Sequence, residues 1–373
     1  MKIILNKTRF LEVLLEIEKL ENIDEFRSEV AQVMASLTIK NDSLYLLNIT
    51  ENGGTVDYDK DILLSNLKQI IDSQTLERGK YYLTRLKRGV EEEKTSEVND
   101  INLNKWKEYG DIITDSLWYL PKRDSSGVHV ASYWGNFIPQ IPNQMLRRYT
   151  KKGDWVLDTF SGSGTTLIEC KRLGRNGIGI ELNQKVVEES KNLIRKEENP
   201  FNVYTDVIEA DSRVVSSEMA LNKNPNKCFQ LVIMHPPYHD IIKFSDKKED
   251  LSNAASLKEF LKMFGEVVDN ITPMLENDRY LILVVGDKYT KGEWVPLAHL
   301  TMSEVIKRGY TLKSTVVKNI ENTLGKRNQD DLWRYRALVG GFYIFKHEYV
   351  FVLKKTGKKQ RVVDEVLITN LSK

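Results

Sequence analysis

Apolar residues are spaced in two ways along this chain, and the change of spacing divides it. From Thr8 to about Leu37, Phe10, Leu11, Leu14, Leu15, Ile17 and Leu20, then Phe26, Val30, Val33 and Met34, recur at three and four residues, which predicts two amphipathic helices. A strand-like run from Ser43 to Leu47 precedes the turn Glu51-Asn52-Gly53-Gly54, and Ile62 to Leu86 again reads as helix. Glu91 to Asn104 is charged and polar and carries no period, so it is predicted to link a mainly helical N-terminal accessory region, 1–104, to a larger domain, 105–373.

Beyond that point short apolar runs alternate with helical periodicity. Strands are predicted at Trp155 to Leu157, Gly177 to Ile180, near Val203, Gln230 to Met234, Tyr280 to Val285, Leu312 to Val317 and Tyr349 to Leu353. Helices fall between them at Thr165 to Leu173, Lys185 to Lys196, Leu257 to Met274 and Leu297 to Lys307. Strand–helix alternation means an α/β fold, here a seven-stranded, mostly parallel, Rossmann-like sheet with helices on both faces. The last two strands are close enough in sequence to finish it antiparallel.

Composition adds limits. No run approaches the ~18 apolar residues that span a bilayer, and the stretch from Met1 to Asn6 is too short for a signal peptide, so a cytoplasmic protein without a membrane partner is expected. Cys170 and Cys228 are too few for a disulfide framework and lack zinc-ligand spacing, so no metal is predicted. The net charge of +2 is uninformative, but residues 313–373 hold 13 Lys/Arg against 6 Asp/Glu, interleaved with Trp333, Tyr335, Phe342, Tyr343 and Phe345. Basic groups neutralise phosphates and rings stack on bases; a solvated basic face around core aromatics gives the same pattern.

Two motifs carry chemistry. Strand Trp155 to Leu157 runs into Asp158-Thr159-Phe160-Ser161-Gly162-Ser163-Gly164-Thr165-Thr166, where two glycines permit a sharp turn and close ligand approach ahead of a helix start. A dinucleotide site would place a third glycine where Leu167 stands, and no Gly-Lys-Ser/Thr marks a P-loop. Glu181, at the end of the second strand, is where a ribose-binding carboxylate belongs, so a nucleoside moiety is expected. Further on, Leu231 to Met234 ends on His235-Pro236-Pro237-Tyr238.

Asp158, Phe160, Gly162, Gly164, Thr165 and Thr166, followed by His235-Pro236-Pro237-Tyr238, resemble the S-adenosylmethionine-dependent DNA amino-methyltransferases, which methylate adenine N6 or cytosine N4. The resemblance covers roughly 115–355 and makes the larger domain catalytic. It implies that Phe137 and Pro139 lie in the segment closing over the methionine end of the cofactor. It also implies that Asp158 faces the methionine amino group, that Phe160, Gly162, Gly164 and Thr165 form the loop beneath the cofactor, and that Glu181 holds the ribose. Asp211 resembles the residue that meets the cofactor's adenine, with Asp206 a nearby competitor.

An exocyclic amine conjugated with its ring is a poor nucleophile, so a site must accept its hydrogens and leave the lone pair aimed at the methyl donor. A side-chain acceptor at position 235 and the Pro236 carbonyl suit this, prolines fixing the backbone without a competing amide hydrogen. Tyr238 is expected to stack on a base swung out of the duplex. His235 departs from the family, which has Asp, Asn or Ser there; a neutral imidazole offers one acceptor nitrogen and an imidazolium none, so activity is expected to fall as pH drops through its pKa.

With the catalytic fold ending near Lys355, DNA reading is expected to fall to the N-terminal helices, a partner chain, or the insertion at about 319–346. The insertion carries Lys326, Arg327, Arg334 and Arg336, of which the three arginines are the predicted nucleic-acid contacts. Asp287 is a candidate site residue, with helix capping as its alternative. Adenine and cytosine stay open, as do a homodimer or a restriction or defence partner subunit. An RNA guanine amino-methyltransferase and a non-catalytic DNA-binding subunit of the same fold are the rival functions.

Overall fold

The computed structural model describes residues 1–38, 43–47, 49, 54–130, 133, 135–290, 292–320 and 330–357. They fall into two compact units, Met1–Ile112 and Ile113–Lys373.

In the first unit β1 (Lys2–Asn6) leads into α1 (Lys7–Glu18) and α2 (Ile23–Thr38), then β2 (Thr55–Asp59), α3 (Lys60–Ile71) and α4 (Leu76–Glu91). β1 and β2 pair antiparallel. Leu5, Phe10, Leu14, Phe26, Val30, Val33, Leu63, Leu67 and Leu83 are fully buried in its core, the face that the three-and-four spacing predicts. Two expectations are corrected. The run from Ser43 to Leu47 is a turn rather than a strand, with Tyr45 at φ 56°. The long helix predicted from Ile62 to Leu86 is two helices, because Thr75 turns out of the helical region and caps α4 by accepting from Arg78 N.

The second unit runs β3 (Leu117–Trp118), α5 (Gln140–Tyr149), β4 (Trp155–Asp158), α6 (Thr165–Leu173), β5 (Asn176–Glu181), α7 (Gln184–Lys196), β6 (Thr205–Glu209), α8 (Ser217–Ala220) and β7 (Phe229–Met234). It continues with α9 (Leu257–Ile271), β8 (Leu275–Val285), β9 (Lys288–Thr290), β10 (Glu293–Val295), α10 (Leu297–Ile306), β11 (Tyr310–Asn319), α11 (Asp330–Gly340) and β12 (His347–Lys355). One sheet has the order β3-β11-β12-β8-β7-β4-β5-β6, in which only β12 runs against its neighbours. It has eight strands, not the seven predicted from sequence. The extra one, β3, is two residues long and pairs parallel with β11 through Leu117↔Val317 and Trp118↔Lys318, too short a run to carry a period.

Alternation explains the layers. Leu157, Val232, Leu281, Leu283 and Phe351 point to the face covered by α9 and α10; Val156, Leu231, Ile233, Ile282 and Val350 point to the face covered by α5 and α6. Strands buried on both faces read as continuous apolar runs, and every residue of β4 and of β7 is buried. Their polar neighbours are therefore found at the strand ends. The strand order reverses at β4, whose neighbours are β5 and β7, and the crevice at the carboxyl ends of such a switch point is where ligands bind in open α/β sheets. No described helix is long and apolar enough to cross a membrane.

Candidate functional site

A cavity of about 470 Å³ opens at that switch point. Residues far apart in sequence meet there because β4 and β7 pair in parallel with Asp158 opposite Ile233, so the loop after β4 and the segment after β7 leave the sheet side by side. Phe137, Phe160, Gly162, Glu181, Asp211, His235, Pro236, Pro237 and Tyr238 all line it.

The glycine loop is shaped as its residues require. Gly162 and Gly164 adopt φ 48° and 80°, a region unfavourable to side chains; Gly164 caps α6, and a Cβ on Gly162 would stand 2.8 Å from the Tyr133 ring. Leu167 replaces the helix glycine of a dinucleotide fold because the close approach is made from the strand: a Cβ on Gly177 would lie 3.3 Å from Leu167 and one on Gly179 would collide with Ser161 Oγ. Glu181 steadies the loop, accepting from Gly162 N at 3.0 Å and Asn183 N at 2.9 Å. Burial raises its pKa against those two amides.

Four sequence-predicted residues sit behind the wall. Pro139 precedes α5. Gly164 packs toward Ile194. Thr165 Oγ1 donates to Asn136 Oδ1 at 2.7 Å, and Asn136 Nδ2 donates to Ser163 Oγ, so Asn136 ties residues 135–139 to the loop. Asp158 is buried under the loop, where Oδ1 accepts from Phe160 N at 3.1 Å. Burial pushes its pKa up to about 6, opposed by the nearby Thr166 hydroxyl and the Phe160 amide. That hydroxyl is not within bonding geometry: among the described residues Asp158 Oδ2, Thr159 Oγ1 and Ser161 Oγ have no hydrogen-bond partner. Unmatched buried polar atoms are rare, and their concentration at one loop fits a ligand rich in amine and hydroxyl groups. The cavity volume is that of a small-molecule site.

Asp211 lines the wall but is engaged by Arg213, whose Nη2 donates to Oδ2 at 2.7 Å. On the opposite wall the His235 ring lies edge-on to Phe137 and Tyr238, with centroids 5.0 and 5.6 Å apart. Desolvation lowers its pKa to about 4, with Lys318 lowering it further and Glu348 opposing. Tyr238 presses on Gly286, where a Cβ would come within 3.0 Å of the ring.

The remaining polar residues near the site differ in what they bond. Asp287 accepts from Ala298 N and Trp294 Nε1, capping α10 away from the cavity. His239 is buried at φ 54°, its Nε2 donating to the Ala254 carbonyl and its Nδ1 accepting from Lys288. Asp250 both lines the cavity and caps the turn at 251–253 by accepting from Ser252 N. Arg334 and Arg336 are exposed on α11, with Arg336 over the Trp333 ring, and Arg327 and Lys326 lie outside the described residues. Sequence reasoning missed Tyr133, Asn136, Lys318, Asn319 and Glu348, all on the wall. The signal for Lys318 and Glu348 was a charge set inside each of two apolar strands.

A family model described as DNA methylase matches residues 32–192 and 229–373. Type II methyltransferase M.MjaII of Methanocaldococcus jannaschii is 46% identical over 56 residues, 15% of this chain and 10% of that protein. Type II methyltransferase M.BglI of Bacillus subtilis is 34% identical over 91 residues, 24% and 25% of the two chains. Type II methyltransferase M2.DpnII of Streptococcus pneumoniae is 35% identical over 99 residues, 26% and 34% of the two chains. The chain thus spans no more than about a third of the length of these relatives.

The buried Asp158 carboxyl makes a checkable contribution to stability. Its folded pKa of about 6 lies above the unfolded value, so the native state holds the proton more tightly and stability falls as pH rises from about 4 to about 6. The shift corresponds to roughly 3 kcal/mol between those limits. Urea unfolding of Asp158→Asn at pH 4.5 and pH 7 should show that slope removed; identical slopes in the two proteins would exclude a buried ionising group here.

Proposed function

The chain belongs to the DNA methylase family, and we propose that it transfers a methyl group from S-adenosylmethionine to the exocyclic amine of adenine or cytosine in DNA. The observation that carries this reading is the meeting of the glycine loop and the His235-Pro236-Pro237-Tyr238 segment across one cavity. S-adenosylmethionine, when bound, supplies the electrophilic methyl group. Asp158 Oδ2 is an unmatched acceptor suited to an ammonium group, and Glu181 keeps acceptor capacity for vicinal hydroxyls beyond its two amide bonds. Phe137 and Tyr133 close the wall above the loop and exclude water.

On the other side His235 and the Pro236 carbonyl accept the two hydrogens of the target amine, which concentrates its lone pair on nitrogen. Tyr238 offers its ring to a base outside the duplex. Asn319 Nδ2, buried on the wall without a partner among the described residues, is a donor available to a ring nitrogen beside that amine. DNA as the substrate would put the protein in the cytoplasm, and the exposed Arg334 and Arg336 of α11 would contact phosphates.

Expressed in a host free of DNA methylation, the protein should leave modified adenine or cytosine at one recurrent motif in long-read maps, and His235→Ala should lower the rate by about 10²-fold or more. Marks confined to RNA, or none, would overturn the reading. Because His235 stays neutral down to about pH 4, the rate should be flat from about pH 5 to 8 and fall only below; the loss near 6.5 expected for an ordinary imidazole would mean that the ring is solvated. Replacing Arg334 and Arg336 together by Ala should weaken DNA binding and reduce its salt slope by about 1–2, and an unchanged slope would exclude phosphate contact by this pair.

A further inference from the structure

Two charged residues form a part of the cavity wall that the sequence motifs do not reach. Lys318 on β11 and Glu348 on β12 are register partners, and Lys318 Nζ donates to Glu348 Oε1 at 2.8 Å with both residues buried. Such a pair is costly to desolvate, and an apolar pair of the same volume would often stabilise the strands more. Its contacts give it another use. Glu348 Oε2 accepts from the Tyr238 hydroxyl at 3.2 Å, and that hydroxyl lies 3.2 Å from His235 Nε2.

Hydrogen inventory fixes the direction of this chain. A carboxylate held by an ammonium has no hydrogen to give, so the Tyr238 hydroxyl donates its single hydrogen to Glu348. Its oxygen can then only accept from His235, which puts the imidazole hydrogen on Nε2. Nδ1 keeps a lone pair, and no described residue hydrogen-bonds it. The charged groups acting on the ring are Glu348 and Lys318; the neighbouring Phe137 and Tyr238 rings are neutral.

We propose that Glu348, ion-paired with Lys318, is a positioning residue that acts through Tyr238 to fix the tautomer of His235, leaving Nδ1 as the atom that accepts a hydrogen from the target amine. The last step rests on the amino-methylation reading above. The tautomer is a property of the free protein and can be read without any methyl transfer.

Long-range proton–nitrogen correlation spectra of the full chain labelled with 15N-histidine at pH 7 resolve this. The protein has 5 histidines, and the His235 signals are those lost in His235→Asn. A protonated Nε2 and a bare Nδ1 are expected. Glu348→Gln, whose amide can donate to the Tyr238 oxygen and turn the hydroxyl toward Nε2, should shift the ring toward the Nδ1-protonated form. Its kcat should fall about tenfold or more while KM for DNA changes less than about threefold. Lys318→Met, leaving Glu348 alone beside the ring, should move the acid limb of the pH–rate profile upward from about 4, and Lys318→Arg should leave it in place. A wild-type spectrum with Nδ1 protonated, or an even mixture, overturns the proposal without recourse to any variant. So does a Glu348→Gln protein with a shifted tautomer and undiminished kcat. The expected spectrum in a protein that methylates no DNA counts against the functional reading and leaves the tautomer assignment standing.

Discussion

Parallel pairing of β4 with β7 is the constraint on which the site depends. Both strands are buried from end to end, and their interiors are apolar apart from Gln230, which accepts from Trp155 N near the amino end of β7. The polar residues of the site stand at the carboxyl ends, and the register that sets Asp158 opposite Ile233 brings the loop after one strand beside the segment after the other. A shift of one residue would reverse every side chain on either strand and pull both ends out of reach. The chemistry of the cavity thus inherits its geometry from the packing of Val156, Leu157, Val232 and Ile233 between two helical layers.

Around that pairing the wall is held by bonds that leave ligand-facing capacity unused. Arg123 donates to the Phe137 and Val130 carbonyls, and Asn136 bonds Ser163 and Thr165, so residues 135–139 are fixed to the glycine loop by the side chains of two residues that themselves line the cavity. Glu181 spends one lone pair of each oxygen on the Gly162 and Asn183 amides and retains others. The result is a preorganised wall whose unmatched atoms cluster where a cofactor would lie. A raised pKa at Asp158 and at Glu181 follows from the same burial, and a cationic or hydroxylic ligand would relieve it.

Most of the sheet was legible because its strands are local apolar runs with helical periods between them. What escaped reading was non-local or very short. β3 has only two residues and exists because Val317 and Lys318 offer it an edge. The break between α3 and α4 turns on one capping threonine inside an otherwise continuous period. The close approach of α6 to the sheet comes from Gly177 and Gly179 on the strand, so the missing helix glycine at Leu167 pointed correctly away from a dinucleotide but could not reveal its substitute. Lys318 and Glu348 are 30 residues apart, and only the antiparallel register of β11 with β12 makes them partners.

That register also bears on how an imidazole could serve as the acceptor proposed at position 235. An acceptor must be free of charge-state ambiguity at working pH, and an exposed histidine, with a pKa near 6.5, is not. Here desolvation is the largest influence on His235, and the opposing effects of Glu348 and Lys318 leave the ring neutral down to about pH 4. Neutrality alone does not say which nitrogen accepts, since two tautomers remain. A carboxylate alone would orient Tyr238 but would also draw a proton onto the ring, and a lysine alone would do neither. Only the pair satisfies both requirements, which is a physical reason for two buried charges side by side on β11 and β12 where they meet the cavity.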